Sequence, residues 1–205
     1  MDTTGAADLI AEIHEDRAEN AAAEKFRNRA ALLIAILAAV LAIGGLGGGN
    51  ATDDMVANNI KASDSWAFYQ AKNVRQTIYE VAVDDLKGQL PSLSGEARAE
   101  AEKRLADYRA TVARYDSEPD PKAPGDPLAG EGKKEIKARA QSYEQAFEQA
   151  SARDNNFDLA EVALQLALVL GSVAILAVNR WILGLSLALG VVGSLLTLNG
   201  FLLLV

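Results

Sequence analysis

The chain of 205 residues has no cysteine, one histidine and five prolines, and only 6% of it is aromatic. Without cysteine there is neither a disulfide framework nor a thiolate metal site, and an oxidising compartment is tolerated. The lone His14 stands in a predicted helix with no matched serine or cysteine, so nucleophilic and general acid-base catalysis have little to build on. No run alternates with period 2, which predicts an absence of strands. Basic charge is short as well. Residues 51 to 158 carry 15 Lys or Arg against 20 Asp or Glu, the wrong balance for a protein that neutralises phosphates, and nucleic acid is excluded as a partner. The Lys133-Lys134 pair reads as the solvated start of a helix. The doublets Asp53-Asp54 and Asp84-Asp85 point about 100° apart on a helix and make no catalytic carboxylate pair. A divalent cation at Asp53, Asp54 or the acidic loop is the only metal reading, and no pattern implies a cofactor.

What is present in quantity is apolar sequence. Residues 30–49, 162–178 and 181–205 contain no charge, and a helix needs roughly 20 apolar residues to cross a hydrocarbon core of about 30 Å. Three transmembrane helices are expected, over 30–49, 161–178 and 181–205. The first is read as an uncleaved anchor, because 29 residues precede it, seven of them acidic, and the run itself is 20 long. Lys25, Arg27 and Arg29 crowd its start, and Asp53 and Asp54 follow its end. The excess of basic residues on the cytoplasmic side then sets a topology. Residues 1–29 and the Asn179-Arg180 hairpin lie inside, and residues 50–160 lie outside, against the weak dissent of Arg153. Trp181 fits an interfacial aromatic on the inner face.

The outer segment is helical by period. Val56, Ile60, Ala67, Ala71, Val74, Ile78 and Val81 recur at spacings near 3 and 4, interrupted by Asp64, and give a coiled-coil-like seam. Gly88, Pro91 and Gly95 break it, with Ser94 expected to cap the next helix. Ala101, Leu105, Tyr108, Val112 and Tyr115 mark that helix. Residues 118–132 hold four of the five prolines and read as a loop in extended conformation. A last helix from about 133 carries Ile136, Ala140, Tyr143, Phe147, Ala150 and Phe157. The fold class is therefore all-α, with three transmembrane helices and an antiparallel helical stalk; a helix over 52–87 would rise about 50 Å. Inside, residues 5–29 form an amphipathic helical segment with Leu9, Ile10, Ile13 and Phe26.

Several residues invite a functional reading. GGLGGGN, residues 44–50, lacks the strand before it and the Lys after it that a phosphate loop requires. Gly44 with Gly48, and Gly45 with Gly49, instead place small residues four apart, which allows close helix packing in lipid or ends the helix. Gly184, Gly190, Gly193 and Ser194 give the third span a similar, weaker signal. Asn199 is expected to bond across a helix interface, and Glu161 and Gln165 are the intramembrane polar residues that an ion or proton path would use. Asn50-Ala51-Thr52 forms a glycosylation sequon close to the membrane end.

The aromatics concentrate in SWAFYQAKNVRQ, residues 65–76. Trp66 would lie roughly 25 Å beyond the first span on a straight helix, too far for an interfacial belt. Trp66, Phe68 and Tyr69 cover two sides of the helix and suit burial between neighbours, with the indole NH and phenol OH seeking partners. Asn58-Asn59, the run Trp66-Ala67-Phe68-Tyr69-Gln70-Ala71-Lys72, Arg75-Gln76 and Tyr79-Glu80 together resemble the signature of an uncharacterised family of bacterial membrane proteins, a domain of unknown function. The order of parts is similar too, with one span, a helical outer segment and a closing pair of spans. The resemblance implies a bacterial inner-membrane protein and supplies no activity. The expectation is a non-enzymatic membrane protein acting as a structural or assembly subunit, with the lipid bilayer and a second copy or a membrane complex as partners. A channel or transport subunit, and a signal-transmitting protein, are the alternatives.

Overall fold

The computed structural model describes residues 3–204, with side chains at His14 and from Asp16 onward. The expected apolar positions Leu9, Ile10 and Ile13 lie outside the residues whose side chains are described. Among the described residues four α-helices follow one another: α1 (Thr3–Gln89), α2 (Gly95–Asp116), α3 (Lys133–Ala177) and α4 (Arg180–Leu202), with a 3-10 turn at Leu90–Ser92 after α1. Among the described residues there is no strand, only an isolated bridge between Pro119 and Gly130. By length and composition α1, α3 and α4 can each cross a membrane.

The length of α1, 87 residues, follows from where proline is missing. The first proline is Pro91, and its ring disfavours helical geometry in the residue before it, so α1 closes at Gln89 and the 3-10 turn takes over. The glycines at 44–49 do not end the helix, contrary to one of the two readings above. Each costs about 1 kcal/mol of helix propensity, an amount that tertiary packing overrides. Ser94 occupies the N-cap position of α2 in extended conformation, but its hydroxyl makes no cap bond. The positive φ of Gly95 (+58°) sets that helix start instead.

The chain divides into two compact units, one comprising the chain up to Thr52 together with everything from Ala150 on, the other Asp53–Gln149. In the first, Leu37 of α1 and Leu164 and Ala167 of α3 form the buried centre, with Leu33, Val40, Leu41, Leu168 and Leu189 packed on it. Small residues bring the helices close. A methyl at Gly190 would stand 2.6 Å from Leu37, and one at Gly193 would stand 2.6 Å from Leu164 Cγ. Ser186 of α4, fully buried, donates to the Ala167 carbonyl of α3 at 2.6 Å. The α3–α4 hairpin is tight. Val178 takes a left-handed φ of 48°, and the Asn179 side chain accepts from the backbone NH of Trp181 and Ile182, capping α4.

In the second unit α2 and α3 bury the faces their periodicity predicts: Ala101 and Leu105 on α2, Ile136 and Ala140 on α3. On α1 the outcome is reversed. The face that packs within the chain repeats at alternating spacings of 3 and 4 through Ala62, Ser65, Tyr69, Lys72, Gln76, Tyr79 and Val83, each buried or half-buried. The apolar series Val56, Ile60, Val74, Ile78 and Val81 lies on the exposed surface. Polar groups can occupy a packed face when each finds a partner there, and several on α1 do. The segment 117–132 is also not extended. It folds into successive turns in which Asp120 and Asp126 accept from the backbone NH of Lys122 and Leu128, and Ala123, Asp126 and Ala129 each donate three residues back.

Candidate functional site

The aromatic segment of α1 is pinned to α3 on one side. Trp66 Nε1 donates to Glu144 Oε1 at 2.7 Å, and the Trp66 and Tyr69 rings meet edge to face at 5.6 Å. Lys133 stands over the Tyr69 ring and donates to Asn73 Oδ1 at 3.0 Å, while Lys61 stands over Tyr143. Phe68 turns the other way and is 38% exposed. Lys72, beside them and 7% exposed, donates to the Glu131 carbonyl, pairs with Glu118 at 3.6 Å, and lies within cation-π reach of Phe68 and Tyr115. It ties α1 to both ends of the proline-rich loop. A lysine three residues after the last of the aromatics is the only sequence signal for this clamp, and it says nothing of the partners.

Glu135, on the first turn of α3, holds the same loop. Its carboxylate accepts from the Ser117 hydroxyl at 2.7 Å and from the Glu118 backbone NH at 3.1 Å. Burial pushes its carboxyl up, but the Ser117 hydroxyl, the backbone NH groups of Glu118 and Glu135 and the charge of Lys134 outweigh that, and the group ends below the usual glutamate range. A carboxyl lowered in the folded state contributes stability above its unfolded pKa and loses it as pH falls through the folded one. Loop cleavage by an acid-stable protease should therefore accelerate as pH drops below the ordinary glutamate value of about 4.3. Glu135→Gln should give fast cleavage at neutral pH and abolish the acid response, and an unchanged response in that variant would contradict the assignment. Further along, Tyr79 meets Tyr108 at 5.4 Å and Tyr115 at 5.9 Å, an aromatic junction of α1 with α2. Gln76 donates to the Val112 carbonyl at 3.3 Å. An open cleft of about 510 Å³ beside it is lined by Glu80, Asp84, Lys87, Arg109 and Asp116 among others.

Opposite this packed face, α1 presents Val56, Ile60, Val74, Ile78 and Val81, each between 51% and 64% exposed, with exposed Ala67 and Ala71 among them. Five branched aliphatic side chains in one helical stripe, interrupted by exposed Asp64 between Ile60 and Ala67, form an apolar surface of the kind that marks an interaction site.

The glycine candidates, Asn199, Glu161 and Gln165 belong to the first unit. Gly44 faces Thr197, and Gly48 lies against Phe157. Gly45 and Gly49 meet nothing within 4 Å. Gly47 and Gly200, which the spacing of four did not single out, form a shelf for Phe157: a methyl on Gly47 would stand 2.6 Å from that ring and 2.8 Å from Phe201. The two rings pack edge to face at 4.9 Å. Asn199 bridges two elements, donating to Asn156 Oδ1 of α3 at 3.0 Å and accepting from the Leu204 backbone NH. Thr52 donates to Asp154 at 2.8 Å nearby. Glu161 and Gln165 are bonded to each other at 2.8 Å on an exposed face of α3 that also carries Val162, Leu166 and Val169. Among the described residues no group of three His, Cys, Asp or Glu is placed to hold a metal ion, and His14 is exposed.

A family model described as a domain of unknown function, DUF4337, matches residues 26–203. No curated protein and no solved structure matches the chain.

Proposed function

Since the chain belongs to the DUF4337 family, a domain of unknown function, we propose a role read from its own surfaces: a non-enzymatic integral protein of the bacterial inner membrane that acts as an assembly subunit, anchored by three spans and docking partners through its extramembrane helices. The observation that carries this reading is the inversion on α1. Its mixed face, Ala62 to Val83, is used up in the chain's own packing, and its more apolar face, Val56 to Val81, points outward. A helix that only needed to fold would bury the apolar face, since each such side chain contributes about 1.5–3 kcal/mol on leaving water. Lys25, Arg27 and Arg29 before the first span, with the acidic residues after it, support a cytoplasmic N-terminus and a periplasmic second unit.

A photo-reactive residue at Ile78 of the full-length protein, activated in native membranes, tests the reading. Docking gives a discrete protein adduct at Ile78 and none at Glu80, which is exposed on another face. Equal labelling at the two positions, or no protein adduct at either, would remove the docking role. A second reading, a channel or transport subunit, is favoured by one observation, the Glu161–Gln165 pair on the otherwise apolar outer face of α3. Solute flux in liposomes that Glu161→Gln abolishes would support it; absence of flux would dismiss it.

A further inference from the structure

The exposed stripe of α1 follows a strict heptad. Ala57, Asp64, Ala71 and Ile78 stand seven apart, and Ile60, Ala67, Val74 and Val81 stand seven apart three residues behind them. All eight are exposed. This is the alternation of core positions in a two-stranded helical seam, in which a repeat of 3.5 residues keeps one face towards the partner. We infer that the occupant of this stripe is a second copy of the same chain, with the two α1 helices pairing parallel and in register; the inference rests on the docking role proposed above and names its partner.

Three features select a second copy. The first is direction. Two copies inserted in one membrane with the same topology present α1 pointing the same way, so equal positions face equal positions. The second is the chemistry beside the seam. In a parallel pair the residue just before one core position meets the residue five further along on its partner. These cross-pairs are Val56 with Lys61, Ser63 with Phe68, Gln70 with Arg75 and Thr77 with Ala82. None sets like charge against like charge, so self-pairing meets no repulsion along its flanks. The one like-charge contact is Asp64 on Asp64, with Lys61 of each helix one turn away. A single polar core position lowers stability while fixing register, the known use of such a residue in paired helices.

The third is size. Val56, Ile60, Phe68, Val74, Ile78 and Val81, each 38% to 64% exposed, form a surface smaller than the ~800 Å² per partner that a standard stable interface buries. Ala57, Ala67 and Ala71 at the core positions add to it and let the helices approach closely. Confinement of both copies to one bilayer raises their effective concentration, so an interface of this size suffices.

The absence of native cysteine makes the test clean. Val74→Cys and Val81→Cys are introduced singly into the full-length chain and oxidised in native membranes, with Asn73→Cys and Glu80→Cys on another face as comparators. A parallel, in-register pair gives disulfide-linked dimer at 74 and 81 in at least about tenfold excess over 73 and 80, the ratio that 1.4 kcal/mol of preference produces. In the Val74→Cys background, Ile78→Asp should lower the dimer yield about tenfold, and Asp64→Leu should raise it. The residues changed are exposed, so the fold tolerates them, and a rise with Asp64→Leu cannot come from misfolding. Equal yields at all four positions, or a fall with Asp64→Leu, would overturn the inference. If Val74→Cys gives no dimer while the Ile78 photo-adduct contains a different polypeptide, self-pairing is wrong and the docking role stands. If neither forms, both are wrong.

Discussion

Gly193→Leu is expected to dismantle the first unit, whereas Gly184→Ala, nine residues earlier on the same helix, is expected to leave it intact. A Cβ at Gly193 would stand 2.6 Å from Leu164 Cγ and 3.1 Å from the Ala160 carbonyl, whereas one at Gly184 would meet nothing within 4 Å. Leu164 is fully buried at the centre of the unit, and the contact is to its branch point, not to a free end that could swing aside. The Ala160 carbonyl is backbone. Accommodation therefore requires α4 to move off α3. Overpacking of this kind costs about 1–3 kcal/mol for one or two added carbons and more for a full leucine. Gly193→Ala should already lower the apparent melting temperature in detergent, and Gly193→Leu should yield no folded protein. Gly184→Ala should match or slightly exceed the parent, since alanine is favoured over glycine in a helix by up to about 1 kcal/mol. Similar melting of the Gly193 and Gly184 variants would mean that α3 and α4 are not packed as described.

Lys72→Met should release the proline-rich loop without unfolding the helices. Methionine keeps most of the lysine stem and removes the ammonium. What is lost is a charged hydrogen bond to the Glu131 carbonyl, the pairing with Glu118, and the cation-π contacts with Phe68 and Tyr115. The hydrogen bond from a charged donor contributes about 1.5–3 kcal/mol. Glu118 is 37% exposed at its side chain, so solvent screening leaves that pair worth less than about 1 kcal/mol. A loss of about 2 kcal/mol corresponds to a roughly thirtyfold rise in the open population. Limited proteolysis between Pro119 and Gly130 should accelerate by that order, with helix content by circular dichroism unchanged. An unchanged cleavage rate would show that Glu135 and the turns hold the loop alone.

The helices themselves were legible because their determinants are local. Proline is missing before Pro91, apolar residues recur at 3 and 4, and prolines cluster between α2 and α3. The faces of α2 and α3 followed from the same periodicity. On α1 two interleaved heptad series compete, one apolar through Ile60, Val74 and Ile78, the other mixed through Ser65, Lys72 and Gln76. Hydrophobicity favours the first as the packed face. The second is packed because Val112, Tyr115, Glu118 and Glu131 supply its partners, and these come from segments about 35 to 60 residues away, a non-local fact that periodicity does not encode. The glycines illustrate the same limit. A spacing of four singles out Gly44 and Gly48, while Gly47 and Gly200 matter only because Phe157 and Phe201 reach them. Lys72 and Glu135 are both buried, and nothing in the apolar periodicity marks either as a packed position.

Solvent access to the apolar face of α1 in its native setting tests the central claim most directly. Single cysteines at Val74, Ile78 and, for comparison, Glu80 of the full-length chain are reacted with a membrane-impermeant maleimide on spheroplasts and again after dilution into detergent. A docking surface predicts that positions 74 and 78 react at least about tenfold more slowly than 80 on the cell and recover on dilution, a protection of about 1.4 kcal/mol. Equal, rapid labelling of all three positions on the cell would show the face bare, and would contradict the account.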